Sequence, residues 1–273
     1  MTHFPVTNSN LSATHIGLFL QEKYCLSKDT QCQLIKAGIN DTYLITDNSD
    51  KFVFRVYSLN WRSKTEIDEE IKLLNQLKEN AISISYPLSD KENNYIQTLC
   101  APEGDRFAVL FTFASGEKQH LISEETHFQI GQLIARLHKI TTNQKLNRID
   151  YTPEVILIDP LKKVSAFLKS DTEEINFMRS AQTYLLKEFE NADISQIRQG
   201  IVHLDIWFDN LNITTDNHVT IFDFDFCGNG WLCLDIAYYI LQLHNIDKYE
   251  AKDYQPKIDR FLKGDESVTS LSA

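Results

Sequence analysis

An α+β fold is what the sequence predicts: a small antiparallel-sheet lobe carrying one helix, followed by a mostly helical lobe. Three observations predict it. Short runs rich in β-branched and aromatic residues crowd the stretch from 30 to 113. From Ser123 onward, apolar residues recur at helical spacing. Between them Ser115-Gly116-Glu117 is a natural joint, so the expected lobes are 1–113 and 114–273.

Element by element, Ile16, Leu18, Phe19 and Tyr24 predict a short leading helix. Cys32–Ala37, Thr42–Thr46 and Phe52–Tyr57 predict three strands. The turn residues Gly38-Ile39-Asn40-Asp41 and Asp47-Asn48-Ser49-Asp50 separate them, a β-meander pattern. A helix follows, capped by Asn60, with Ile67, Ile71, Leu74 and Leu77 on one face and Glu70 in the same stripe. Ile82–Leu88, Tyr95–Leu99 and Phe107–Phe113 predict three more strands. Ser123 caps a helix bearing Phe128, Ile130, Leu133, Ile134 and Leu137. Pro160–Leu168, Ile175–Phe189, Leu234–Leu243 and Tyr249–Phe261 predict further helices, and Ile201-Val202 and Val219–Phe222 are short apolar runs between polar flanks.

The 273 residues include 27 Lys+Arg and 38 Asp+Glu, a formal charge of −11, with 42% hydrophobic and 24% charged residues. That composition is globular and excludes collagen, coiled coil and wholesale disorder. An acidic chain lacks the basic surface that a general nucleic-acid binder needs. Dividing at 113 leaves 11 basic and 14 acidic residues before and 16 and 24 after, so the second half carries −8 and suits a cationic ligand. Only nine residues are glycine, and neither GxGxxG nor the Walker P-loop pattern occurs, so any nucleotide is cradled in another way. The five cysteines, Cys25, Cys32, Cys100, Cys227 and Cys233, are odd in number and form no CxxC; they predict reduced thiols and a cytoplasmic location. Met1–Leu11 carries no signal-peptide pattern. The longest apolar stretches, such as Phe107–Ala114, fall far short of the roughly 18 residues that a membrane span takes, so no membrane partner is expected.

The chemistry is concentrated between Ile201 and Asp225. His203-Leu-Asp205 is followed five residues after the aspartate by Asn210, and thirteen residues later by Asp223-Phe-Asp225. Kinase catalytic and metal loops share this spacing. Phosphoryl transfer asks for a carboxylate beside the acceptor hydroxyl, oxygen ligands for Mg2+ and positive charge over the phosphates. Asp205 would take or orient the acceptor proton, Asn210 and Asp223 would hold the metal, and His203 would brace the loop. Asp209 and Asp225 would either face an acceptor or cap a turn.

With these motifs in place, the sequence resembles the aminoglycoside phosphotransferase and choline kinase-like family, of protein-kinase-like fold, from Ala37 to Ala237. Within it, the stretches Arg55-Val56-Tyr57 and Ala101-Pro102-Glu103-Gly104 are similar to those of the bacterial stress-response kinase and homoserine kinase-like branch. The resemblance implies a kinase that uses ATP or GTP with Mg2+ and phosphorylates a hydroxyl of a small molecule, such as an aminoglycoside or another amino-bearing alcohol; homoserine or a protein Ser/Thr is the alternative acceptor. It implies that Gly38, Asn40 and Thr42 belong to a nucleotide-positioning loop. Arg55 stands where the family has a phosphate-contacting lysine, and Glu70 would pair with it. Phe111 would stand behind the adenine, with the backbones of Thr112 and Ala114 on its edge. Asp235 would support the catalytic loop.

Two positions depart from the family pattern: Leu204 replaces a small residue, usually Gly, and Arg55 replaces Lys, a fork in place of a point charge. They keep a nucleotide-binding scaffold without transfer among the readings. A metal-dependent hydrolase built on His203, Asp205 and Asp223 lacks the paired histidines of such sites. The stretch Lys263–Ala273 has little apolar content where members of the family it resembles continue with helices, so either a naturally short member or a truncated chain is expected, with an acceptor pocket that is incomplete or more open.

Overall fold

In the computed structural model, residues 6–247 and 254–270 are described. The chain divides into two compact units, Met1–Ile122 with Phe208–Asp223 and Ser123–Trp207 with Phe224–Ala273.

The first unit is built on an antiparallel sheet. Its strands are β1 (Gln31–Ala37), β2 (Asn40–Asp47), β3 (Asp50–Tyr57), β4 (Pro87–Leu88), β5 (Ile96–Ala101) and β6 (Gly104–Thr112). The order is β1-β2-β3-β6-β4, with β5 also on β6. Side chains alternate between the two faces of a strand. One face buries Tyr43, Ile45, Phe54, Val56, Ala108 and Leu110 against Ile16 and Leu20 of helix α1 (Ala13–Tyr24). Thr42, Arg55 and Val109 stand opposite one another in register and belong to the other face, as do Val53 and Phe111. Helix α2 (Lys64–Glu79) brings Glu70, in one stripe with Leu74 and Leu77, to Arg55.

Several sequence expectations are corrected here. Ser63, not Asn60, caps α2: Ser63 and Glu66 form a reciprocal capping box, while Asn60 sits at φ 60° in the preceding turn. The β1–β2 turn is only Gly38-Ile39, because Asn40 and Asp41 already pair with β3. The strand expected over Ile82–Leu88 shrinks to Pro87–Leu88, because Ser83 and Ser85 bond instead to Ile221. That exchange attaches the hairpin of β8 (Leu211–Ile213) and β9 (Val219–Ile221) to the first unit.

The second unit contains α3 (Glu124–Thr141), capped by Ser123, then α4 (Asp159–Val164), α5 (Glu173–Asn191), α6 (Cys233–Asp247) and α7 (Gln255–Glu266). The helix expected over Pro160–Leu168 is shifted: a π-helical turn, Glu154–Ile158, runs directly into α4, which ends at Val164. The first residues of the helix expected over Tyr249–Phe261, 249–253, lie outside the described residues, as do residues 1–5 of Met1–Leu11. A two-stranded ribbon, β7 (Gln199–Val202) with β10 (Gly228–Trp231), completes the unit. Among the described residues no helix is long and apolar enough to cross a membrane.

Candidate active site

The first unit assembles the groups that suit a nucleotide and a metal. In the β8–β9 hairpin Leu211 pairs with Ile221, Asn212 with Thr220 and Ile213 with Val219. Extended by one residue, that register sets Asn210 opposite Phe222, and the Phe222 N–H donates to the Asn210 carbonyl at 3.1 Å. Asn210 and Asp223 therefore emerge at the same end of one hairpin. The interval of thirteen residues is the length of that hairpin.

Arg55 reaches this end from β3. One guanidinium nitrogen donates to Glu70 Oε1 at 3.0 Å, the other to Asp223 Oδ1 at 2.9 Å. Glu70 is 1% exposed, so this is a buried ion pair. The Tyr57 hydroxyl donates to Glu70 Oε2 at 3.3 Å, and the guanidinium stacks 4.9 Å from the Phe111 ring centroid. A fork can grip two carboxylates where an ammonium would act as a point charge. One cation facing two carboxylates leaves local negative charge, which suits a metal ion. Asn210 and Asp223 offer an amide and a carboxylate oxygen, hard donors of the kind Mg2+ takes when phosphate oxygens and water complete its shell. No cluster of three His, Cys, Asp or Glu side chains forms a metal cage among the described residues.

The remaining nucleotide candidates lie around the same sheet. Gly38 is in the β1–β2 turn, and Asn40 Oδ1 accepts the Ser58 N–H at 3.3 Å. Asp41, beside them, is buried against Arg106 at 2.9 Å, which ties the start of β2 to β6. The Thr112 carbonyl accepts the Ser85 hydroxyl at 2.6 Å, and its N–H donates to Tyr86. The Ala114 carbonyl accepts from the Asn212 amide. Gly116, at φ 93°, lies so close to β8 that a Cβ there would meet the Ile213 carbonyl at 2.4 Å. Asp209 lies 3.8 Å from His120.

The second unit builds the His203–Asp205 segment differently. Asp235, fully buried near the start of α6, accepts the N–H of His203 at 3.0 Å and of Leu204 at 2.7 Å, and a third bond joins it to His138 Nε2 at 2.9 Å. Burial disfavours its charge, but the bonds and charge of His138 and His203 outweigh burial and hold its pKa below the usual carboxylate value. Leu204 sits at φ 59°, a left-handed conformation in which glycine is at ease. His203 is buried, packs edge-on to Phe224 at 4.4 Å and accepts the Asp205 N–H at Nδ1, which is bracing geometry. Tyr238 donates to Asp205 Oδ1 at 2.8 Å. Asp225 is buried, its carbonyl bonded by Arg148.

Sequence reasoning missed Tyr57, His138 and Tyr238. Tyr57 shares a strand face with Arg55 two residues away, and Tyr238 lies one helical turn after Asp235, so both left a spacing signal. His138 left none: its partner is 97 residues distant.

The sequence pattern of the phosphotransferase enzyme family matches residues 31–261. An uncharacterized protein of Synechocystis sp. is 28% identical over 244 residues, covering 87% of this chain and 66% of its own length. A protein of Methylobacillus glycogenes named homoserine kinase is 25% identical over 216 residues, 78% of this chain and 64% of its own. This chain thus spans about two thirds of the length of these relatives. Among solved structures, an amicoumacin kinase in complex with AMP-PNP, Ca2+ and Ami superposes with a TM-score of 0.78 at 18% identity, over 96% of this chain and 79% of that one, and shows the shared fold. With most of its length matched, from the first strand into the last helix, the chain belongs to the phosphotransferase enzyme family.

Proposed function

We propose that this protein is a kinase that transfers the γ-phosphoryl group of ATP or GTP to a hydroxyl of a small, amino-bearing alcohol. The observation that carries the reading is the end of the β8–β9 hairpin, where Asn210 and Asp223 emerge together and Arg55 holds Asp223. In this reading Asn210 and Asp223 hold Mg2+, which when bound offsets charge on the phosphoryl oxygens. Arg55, oriented by Glu70 and Tyr57, turns its guanidinium to the phosphates. Asp205, five residues before Asn210, accepts the proton of the attacking hydroxyl, and His203 and Asp235 keep its loop in shape. Gly38, Asn40 and Thr42 border the phosphates. Phe111, with the backbone of Thr112 and Ala114, borders the base.

Two observations support the acceptor class. The half of the chain after 113 carries most of the negative charge, which favours cations. The relative named homoserine kinase bears the name of an amino-bearing alcohol. The test is a panel of amino alcohols, amino sugars and Ser/Thr peptides scored for stimulated nucleotide turnover, with Asp205→Ala alongside. Transfer should vanish in that variant while nucleotide affinity stays within about threefold of wild type; near-normal turnover refutes the role of Asp205.

A second reading is a nucleotide-binding scaffold without transfer. The engagement of Arg55 by Asp223 and the strained Leu204 favour it. Thermal stabilisation by Mg·ATP with no transfer to any of the panel would select it.

A further inference from the structure

We infer that Tyr238 is a positioning residue for the base: its hydroxyl, donating to Asp205 Oδ1 at 2.8 Å, sets the orientation and the basicity of that carboxylate. The inference rests on the reading of Asp205 as the group that accepts the acceptor's proton.

The geometry comes from the pitch of α6. Residues three and seven apart lie on one face of a helix, so Asp235, Tyr238 and Gln242 form a stripe. Asp235 holds the backbone of His203 and Leu204, and one turn later Tyr238 reaches the side chain of Asp205. One helix face thus contacts three consecutive residues of the loop, two through their N–H groups and the third through its carboxylate. The adjacent Tyr239 points elsewhere: it is fully buried, stacked on Phe261 at 4.4 Å and bonded to His127. Tyr238 is half-buried, so packing alone does not account for it.

The direction of the bond follows from chemistry. Burial raises the Tyr238 pKa far above the ordinary phenol value, and the bond to Asp205 and its negative charge raise it further, outweighing an opposing bond from Gln242. The phenol therefore stays protonated and donates. A donor on a carboxylate favours its charged form and lowers its pKa. Among the titratable groups beside the segment are His203, whose Nδ1 takes the Asp205 N–H, and Asp235 with His138 behind it, and Tyr238→Phe replaces none of them. Through this bond the carboxylate is held in one orientation, and its basicity is set below that of a carboxylate without the donor.

The decisive measurement is a 13C NMR titration of the Asp205 carboxyl, assigned with Asp205→Asn, in wild type and Tyr238→Phe. The inference expects the Asp205 pKa to rise by about one unit in Tyr238→Phe. It also expects the acidic limb of the kcat/KM profile to move up with it, and kcat to fall roughly tenfold or more with nucleotide KM within about twofold. Should Tyr238→Phe disturb folding, 3-fluorotyrosine at 238, a stronger donor of nearly the same shape, must move the Asp205 pKa down. An Asp205 pKa unmoved by either replacement overturns the inference and leaves the role of Asp205 intact. Turnover retained by Asp205→Asn on the acceptor panel instead overturns the reading of the base, whatever the titration shows.

Discussion

The two polar centres of this protein are built on opposite principles. In the first unit, Arg55 bridges Glu70 and Asp223 by side chain to side chain, and the network carries charge. In the second, Asp235 grips backbone N–H groups, and the network carries shape. A charge network responds to the identity of its cation, and Arg for Lys changes what it can grip. A shape network can carry a bulky side chain at Leu204 in a left-handed conformation, because the two backbone bonds to Asp235 hold the loop there.

The largest effect that could break this contrast is expected at Asp235. Asp235→Ala leaves two N–H groups and His138 without their buried acceptor and should lower stability by about 4 kcal/mol or more, read by denaturant unfolding. Because the folded pKa of Asp235 is lowered, its contribution is full above the unfolded carboxylate value of about 3.9 and is lost as pH falls through the lower folded value. The stability gap between wild type and Asp235→Asn should therefore close only in acid below about pH 4. Next, Arg55→Ala leaves Glu70 as an uncompensated buried charge and should cost about 3 kcal/mol. Arg55→Lys should cost less, about 1 kcal/mol, while weakening Mg·ATP binding measured calorimetrically. If the loop depends on backbone shape, Leu204→Gly should be more stable than Leu204→Ala by about 1 kcal/mol, although alanine keeps more of the side chain. The smallest effect concerns the helix that delivers Glu70. Ser63→Ala should cost about 1 kcal/mol, while Asn60→Gly, which keeps the left-handed turn and removes only the side chain, should cost close to nothing, by thermal melts.

The contrast also explains what was legible in the sequence. Apart from β4, the strands of the first sheet and the helices α1, α2, α3 and α5 follow from local periodicity, and the thirteen-residue interval between Asn210 and Asp223 reflects a hairpin of set length. Arg55 and Glu70 could be paired because one lies on a strand and the other on a helical stripe shared with Leu74 and Leu77. The shape network was largely invisible. Asp235 was singled out by resemblance, but its acceptance of two backbone N–H groups leaves no mark on the residues that donate them, and His138 comes from another helix. The Asn60 cap failed because Ser63 with Glu66 satisfies two backbone donors reciprocally, and Ile82–Leu88 failed because Ser83 and Ser85 bond to a strand more than 130 residues later.

The β8–β9 hairpin works as a ruler with a sliding and a rigid part. Its turn, 214–218, adjoins neither Asn210 nor Asp223, so residues inserted there alter the sequence interval between the two without altering where they emerge. A single residue inserted within β8 or β9 would instead turn one of them to the opposite side of the ribbon. Variants of this protein can therefore carry different counts between Asn210 and Asp223 and still present them side by side, provided that the surplus is confined to the tip.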